Sequence, residues 1–473
     1  MAEALETWMP RGASDYPLEP GVLDEAFTAP GEPRPLYRQV LAALAGHDLR
    51  EANAAVDRHI EKTGLDFGEV GFPVDPVPRL IAAEEWTHLE AGLAQRLGAL
   101  NAFLRDVYGD QRAFADGALP ERLVTTCDGY EPAMRGLLAD DVPPIGLAGL
   151  DIVRTATGEL MVLEDNLRMP SGITYATTLR AAVTAAVDWP LAPRPLDGFA
   201  RRFGDCLRAA APAGDGEGTV ALLSEGPDSV AWSEHRLLSS ELGIGVVTPR
   251  DMSTARGRLY GRTGSRRVPI TVLYRRVDDE RLTDPEGSPT ELGALLLPAL
   301  QAGSLRCINS FGTGIGDDKL THVYTERMID YYLGEEPLLR SVPAYDLAEP
   351  DDREKAMDRL EDLVIKPRGG FGGSGVVILP ESTEGERRLA LGKVRRFPGE
   401  FVAQEMVGLS THPTICGKHL RPRHVDLRPF VATDGDTTHV LPGGLTRYAV
   451  DAGEMIVNSS RGGGGKDTWV VED

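Results

Sequence analysis

The chain is poor in cysteine. It has four in 473 residues (Cys127, Cys206, Cys307 and Cys416), far apart and with no Cys-x-x-Cys pair. A disulfide framework or a zinc ribbon needs paired cysteines, so neither is supported. Long apolar runs are also missing: the longest falls well short of the ~18 residues of a spanning helix. Met1-Ala2-Glu3 opens no charged-then-apolar leader. Basic charge is the third shortage. Fifty Lys and Arg face 72 Asp and Glu, a formal charge of −22, which disfavours a nucleic-acid or anionic-membrane surface. No internal repeat or low-complexity tract stands out. What remains is the expectation of a cytoplasmic enzyme of small molecules, with neither nucleic acid nor membrane as partner and an open oligomeric state. At 42% hydrophobic and 26% charged, the chain can form two or three domains with sizeable cores.

The most informative stretch is GLDIVRTATGELMVLEDNLRMPSG, residues 149–172. Two strand-like runs, LDIVRT and ELMVLEDN, are joined through Thr157-Gly158, so a hairpin would bring Asp151 beside Glu164 and Asn166. Residues two apart on a strand share a face; Glu164 and Asn166 therefore point one way and Asp165 the other. Two carboxylates and an amide carbonyl are hard oxygen donors of the kind Mg²⁺, or Mn²⁺ in its place, takes beside phosphates. A solvated hairpin with ordinary surface acids is the competing reading.

A second half of such a site appears in DLVIKPRGGFGGSGVVIL. Lys366 ends an apolar run, and Gly369, Gly370, Gly372, Gly373, Ser374 and Gly375 follow before the next. A strand, a glycine-rich turn and another strand let backbone N–H groups reach phosphate oxygens, with Lys366 placed to neutralise charge. The Walker spacing G-x-x-x-x-G-K-[ST] is absent around both Lys366 and Lys466. A merely flexible hairpin is the alternative here. Downstream, HVDLRPFVA, GGLTRYAV and MIVNSSRGGGGKDTWVV read as strands with Arg428, Arg447 and Asn458 at polar positions. An arginine facing a cleft needs an anion, either phosphate or a structural carboxylate.

The Asp/Glu-x-Asn hairpin resembles the metal hairpin of ATP-grasp carboxylate–amine ligases. In ordinary members the lysine and glycine loop come first; here the hairpin precedes the loop by about 200 residues. The chain thus resembles the circularly permuted ATP-grasp family, type 2, glutathionylspermidine-synthase-like. The likeness runs from about Gly71 onward through FPVDPVPRLI, VLEDNLRMPSG, LYRRVDD, NSFGTGIGDDK, DYYLGEEPLL, QEMVGLSTHPT, PRHVDLRPFV, GGLTR and VNSSRGGGGKDTW. It departs at GPDSVAWSEHRLL and at Arg461 and Gly465, positions that bear on substrate identity. The resemblance implies an α/β (α+β) fold, a circularly permuted ATP-grasp module with an inserted Rossmann-like parallel-sheet domain. It implies ATP and Mg²⁺ as cofactors, Gln404 and Glu405 at the adenine and ribose, and Lys366, Arg428, Arg447 and Asn458 as catalytic groups around an acyl phosphate that an amine attacks. The partners would be a small acid and an amine: an amino acid, peptide or polyamine. A small-molecule phosphotransferase and a nucleotide-binding protein without ligase activity are the other readings.

Three regions are expected: 1–180, with N-terminal helices and the metal hairpin; 219–345, a small parallel-sheet domain of alternating strands and helices; and 346–473, carrying the glycine loop and hinge. Residues 82–109 form the clearest amphipathic helix, with Trp86, Leu89, Leu93, Leu97, Leu100 and Leu104 on one stripe. Arg275, Arg276, Asp278 and Asp279 end a strand where open α/β sheets bind ligands, and are the candidates for recognising acid and amine. Gly314, in the turn Gly312-x-Gly314-x-Gly316, is placed at the edge of the substrate cleft. His424 and Asp426 share a strand face that could serve the substrate, and Glu234 and His235 are further candidates. His412, Cys416, His419 and His424 crowd together, but their spacing does not match a compact zinc motif.

Overall fold

The structure, a computed structural model, describes residues 16–65, 72–213, 219–263, 266–277, 281–370, 375–454, 457 and 463–472. Asp278, Asp279, Gly372, Gly373, Ser374 and Asn458 lie outside the described residues.

A nine-stranded sheet forms the body. Its path runs Thr438–Val440, Phe430–Thr433, Leu147–Arg154, His419–Arg428, Leu445–Tyr448, Gly464–Val471 and Val74–Ala82, with Leu160–Asn166 and Thr411–Cys416 added at its sides. Only the pair Gly464–Val471 with Val74–Ala82 is parallel within it. Strand alternation divides the core in two. Ile81, Ala148, Leu150, Ile152, Val431 and Val470 face one side, where helix Ala83–Tyr108 packs its buried Trp86, Leu89, Leu93, Leu97, Leu100 and Leu104. Leu80, Leu147, Phe430, Ala432, Trp469 and Val471 face the other, covered by helices Leu49–Thr63 and Ile173–Ala186. The leucine stripe is therefore core.

Strands from Thr219 to Ile308 form their own sheet. Gly245–Val247, Thr219–Ser224, Arg266–Arg276 and Arg306–Ile308 are parallel to their neighbours. Met252–Ala255 and Arg258–Thr263 add an antiparallel hairpin, so the sheet is mixed rather than wholly parallel. The cause is local: Arg256 and Gly257 both take positive φ (52° and 69°) in a two-residue turn, a conformation that folds a strand straight back on itself.

A third, antiparallel sheet orders Ala344–Asp346, Phe401–Glu405, Leu363–Pro367 and Val377–Ile378. Its own small core gathers Leu347, Ala356, Leu363, Ile365, Leu379, Val394 and Ala403. Helix Glu384–Arg396 covers it, started by a reciprocal cap between Thr383 and Glu386. Between this lobe and the body runs helix Lys319–Leu333, capped by the Asp318 carboxylate on Leu320 N at 2.9 Å and stopped at Gly334 (φ 66°). No helix among the described residues is long and apolar enough to cross a membrane.

Candidate active site

The hairpin forms as the spacing predicts. Asp151 pairs with Glu164 and Gly149 with Asn166 across it, so the three oxygen-bearing residues share one face. Asp165 points to the opposite face, where Arg96 of helix Ala83–Tyr108 grips it through two N–H donors at 2.7 Å each. Those arginines near Asp165 and Asp151 decide both ionisations. Burial pushes the Asp151 carboxyl up, but Arg428 and Arg447 outweigh it and hold the group at about 2. Arg428 is bidentate to Asp151 at 2.7 and 2.9 Å, and Arg447 reaches it at 3.0 Å while also binding Asp426. Burial and the Asp151 charge keep Asp426 above its ordinary value.

Glu164 differs. Its side chain stays about one-third exposed, 31%, and is paired with Lys319 at 3.1 Å. The same cleft is lined by Leu163, Asp318, His322, Lys366, Val402 and Gln404. Lys366 enters it from strand Leu363–Pro367 and donates to the Gln404 Oε1. Burial, with Lys319 nearby, pushes the Lys366 ammonium below its usual value, against Glu164 and Asp151, which raise it. Two ammonium groups thus face a carboxylate in a partly enclosed cleft, an arrangement suited to an anion bound together with a divalent cation. The Asn166 amide nitrogen is buried with no hydrogen-bond partner among the described residues, which leaves that amide to be oriented by a ligand on its oxygen. Glu164 and Asn166 therefore fit an oxygen-liganded Mg²⁺; Asp151 stands beside Glu164 on the same hairpin face, but both its oxygens already accept from Arg428 and Arg447.

At the ends of the glycine loop, Gly370 and Gly375 take φ of 100° and 74°. At Gly375 a Cβ would also come 2.8 Å from the Pro367 ring. Lys319 Nζ donates to the Gly370 carbonyl at 3.1 Å. Arg368 ties the same segment to helix Lys319–Leu333 through Asp318 at 2.7 Å and to Thr126 at 2.6 Å. On the hinge strand, Gln404 faces the cleft and Glu405 turns away to accept from Tyr345 Oη at 2.7 Å and from Arg359.

Several candidates are not brought into the cleft. Arg276 is buried and spends its donors on Pro170 O (2.6 Å), Ser171 Oγ (3.0 Å) and Glu234 (2.9 Å), while Glu234 also accepts from Gly172 N at 2.7 Å. These two residues lock the turn that follows the hairpin. Arg275 donates to Thr313 Oγ1 at 3.0 Å and stacks over Phe311. The Gly314 backbone packs on Gly129, whose hypothetical Cβ would stand 2.4 Å from it. His424 meets Leu409 O (2.9 Å) and Glu19 (3.5 Å), and His235 meets Ser224 Oγ (2.8 Å).

Lys319, His322, Arg368 and Arg96 escaped the sequence reading. Lys319 had a signal, an Asp318 cap placing it at a helix start beside the glycine turn. Arg96 had one too: it lies three residues after Leu93 on the leucine stripe, a charge on an apolar face. Asn309 is a further clamp, accepting from Gly146 N and Leu147 N at 2.9 Å each and so tying the second sheet to the hairpin strand.

A permuted body sheet, a hairpin of oxygen donors and a lysine-bearing lobe define an ATP-grasp protein. Residues 78–449 match the model of the circularly permuted ATP-grasp type 2 family, and the chain belongs to that family. Among its relatives is an uncharacterized protein of Mycobacterium tuberculosis, 41% identical over 95% of this chain and 84% of that protein. A Frankia casuarinae protein provisionally named a glutamate–cysteine ligase is 40% identical over 96% of this chain but only 54% of its own length. Among solved structures, a glutathione synthetase-like effector from Globodera pallida in its apo form superposes with a TM-score of 0.58 at 11% identity, covering 89% of this chain and 97% of that one. At that identity the likeness speaks for the fold. Family and relatives together support a carboxylate–amine ligase in general terms.

Proposed function

We propose that the protein is an ADP-forming ligase that joins a small carboxylic acid to an amine, the acid being an amino acid or peptide and the amine an amino acid, peptide or polyamine. One observation carries the reading. The hairpin with Glu164 and the strand with Lys366, about 200 residues apart in the chain, line the same cleft. A solvated hairpin and an unrelated flexible loop would have no reason to meet.

A carboxylate is a poor electrophile, because its charge repels nucleophiles and its leaving group would be oxide. Phosphorylation gives an acyl phosphate with a good leaving group, which the amine displaces. Lys366 and Lys319 would neutralise the phosphates, and the loop from Gly369 to Gly375 would offer backbone N–H groups to them. Glu164 and Asn166, with Asp151 beside them, would hold Mg²⁺, which when bound draws charge from phosphate oxygens. Arg428 and Arg447 fix Asp151 in place and supply positive charge behind it. The backbone of strand Phe401–Glu405 would border the adenosine, with the Glu405 side chain itself turned to Tyr345 and Arg359. Catalysis of this kind is positioning and electrostatics, and no side-chain nucleophile is needed.

Calorimetric titration with ADP, in Mg²⁺ and in chelator, tests the reading. Binding should require Mg²⁺ and should weaken by at least an order of magnitude in Lys366→Ala and Glu164→Gln, since each removes a charged contact. Wild-type affinity in both variants would sink it.

A further inference from the structure

Behind Lys366 the cleft wall holds a chain of side chains that the chemistry above does not use. Asp165, gripped by Arg96, lies with Oδ2 2.8 Å from His322 Nδ1. His322 Nε2 is 3.5 Å from the Gln404 amide nitrogen, and Gln404 Oε1 accepts from Lys366 Nζ. All of His322, Asp165 and Arg96 are buried.

Hydrogen positions follow from what each group can do. Asp165 already accepts two N–H donors from Arg96 and offers only acceptor oxygens; His322 Nδ1 lies 2.8 Å from its Oδ2 and farther, 3.2 Å, from Arg96 Nη2, so the hydrogen sits on Nδ1 and points to the carboxylate. Lys366, which can only donate, holds the Gln404 oxygen, so the Gln404 NH₂ is the group that faces His322 Nε2, and Nε2 keeps its lone pair to accept from it. The Gln404 NH₂ then has two acceptors, His322 Nε2 and the Leu163 carbonyl at 3.2 Å. Its oxygen faces the ammonium. Flipping the amide would set oxygen against the Leu163 carbonyl and NH₂ against Lys366, so one orientation survives.

The geometry points to His322 as a positioning residue: by holding the Gln404 amide in that single orientation it keeps Lys366 at the point of the cleft where Glu164 and Lys319 meet, and so sets the affinity for nucleotide phosphates. The proposal rests on the ligase reading above. His322 acts through Gln404, and Gln404 is thereby occupied by Lys366, which leaves the adenine edge to other hinge groups.

Two substitutions split the imidazole's contacts. His322→Gln keeps an acceptor where Nε2 was, whereas His322→Asn keeps a donor to Asp165 but does not reach Gln404. Affinity for Mg·ADP should fall about tenfold in His322→Asn, the loss of one buried hydrogen bond, and stay within about threefold in His322→Gln. The pair His322→Asn with Gln404→Leu should bind no more weakly than Gln404→Leu alone, because both act on one path. The reverse order of the single variants, or effects that multiply in the pair, overturns the proposal; a purely structural role through Asp165 predicts that reverse order. If His322→Asn does not fold, His322→Gln and Gln404→Leu decide, and equal losses in those two overturn it. A wild-type protein that binds no Mg·ADP removes the ligase reading and the relay with it. A wild type that binds, with the variants ranked otherwise, removes the relay alone.

Discussion

Replacing Asp151 by Asn removes one charge from a cluster of four and leaves the side chain's shape almost unchanged. In the native protein that carboxylate is 4% exposed and meets Arg428 at 2.7 Å and Arg447 at 3.0 Å, with Asp426 on the far side of Arg447. Arg428 and Arg447 hold its pKa at about 2 despite burial, a net stabilisation of a few kcal/mol at roughly 1.4 kcal/mol per unit. Mutation should cost somewhat more, about 3–5 kcal/mol, because two buried guanidiniums are left sharing Asp426 alone. Glu164→Gln makes the internal control. Glu164 faces Asp151 across the hairpin, yet its ion pair with Lys319 is partly exposed, and such pairs contribute only about 0–1 kcal/mol. Urea unfolding followed by tryptophan fluorescence, alongside ATP turnover, should therefore separate the two: Asp151→Asn loses stability and turnover, and Glu164→Gln loses turnover alone. Equal stability of Asp151→Asn and wild type would refute the reasoning, since it would mean that the arginines do not depend on this charge.

Acid stability should track Glu25, which accepts from Arg79 at 2.6 and 2.8 Å and from Ser410 at 2.5 Å. Burial raises this carboxyl, Arg79 and Arg154 win, and it is lowered from 4.5 to about 2. A depressed acid stabilises the fold above its unfolded pKa and loses that contribution as pH falls. Glu25→Gln should thus be less stable by about 3 kcal/mol above pH 4.5, with the gap closing toward pH 2; a gap that is constant with pH, read from denaturant midpoints, would contradict this. Gly129→Ala would drive a methyl to within 2.4–2.7 Å of the Gly314 and Ile315 backbone. A loss of about 1–3 kcal/mol is expected, with weaker nucleotide binding because that segment leads into Asp318 and Lys319; an unchanged melting temperature would show that the loop yields freely.

The parts of the site that could be read from sequence are those carried by short spacings. Asp151, Glu164 and Asn166 fall on one hairpin face because strand periodicity leaves no other choice, and Lys366 is marked by the apolar run that ends on it. Arg275 and Arg276 show what spacing cannot supply. A strand end in an open sheet does point toward a ligand crevice in general, but here Glu234 and the Pro170–Gly172 turn fill that crevice and use the arginine's donors. The environment of Lys366 was equally hidden, since Gln404 meets it from one strand and His322 stands behind Gln404 on a helix. The mixed second sheet was missed for a smaller reason: Arg256-Gly257 is a two-residue turn whose first residue is unusual at positive φ.

The claim that the cleft joins an acid to an amine is tested most directly by its products. The protein is incubated with Mg·ATP and pooled amino acids, peptides and polyamines, and nucleotides and new masses are followed together. The account predicts ADP and phosphate in step with a product whose mass is that of acid plus amine less water, both lost in Glu164→Gln. AMP with pyrophosphate, a phosphorylated small molecule as the end product, or no ATP consumption with any pool would contradict it.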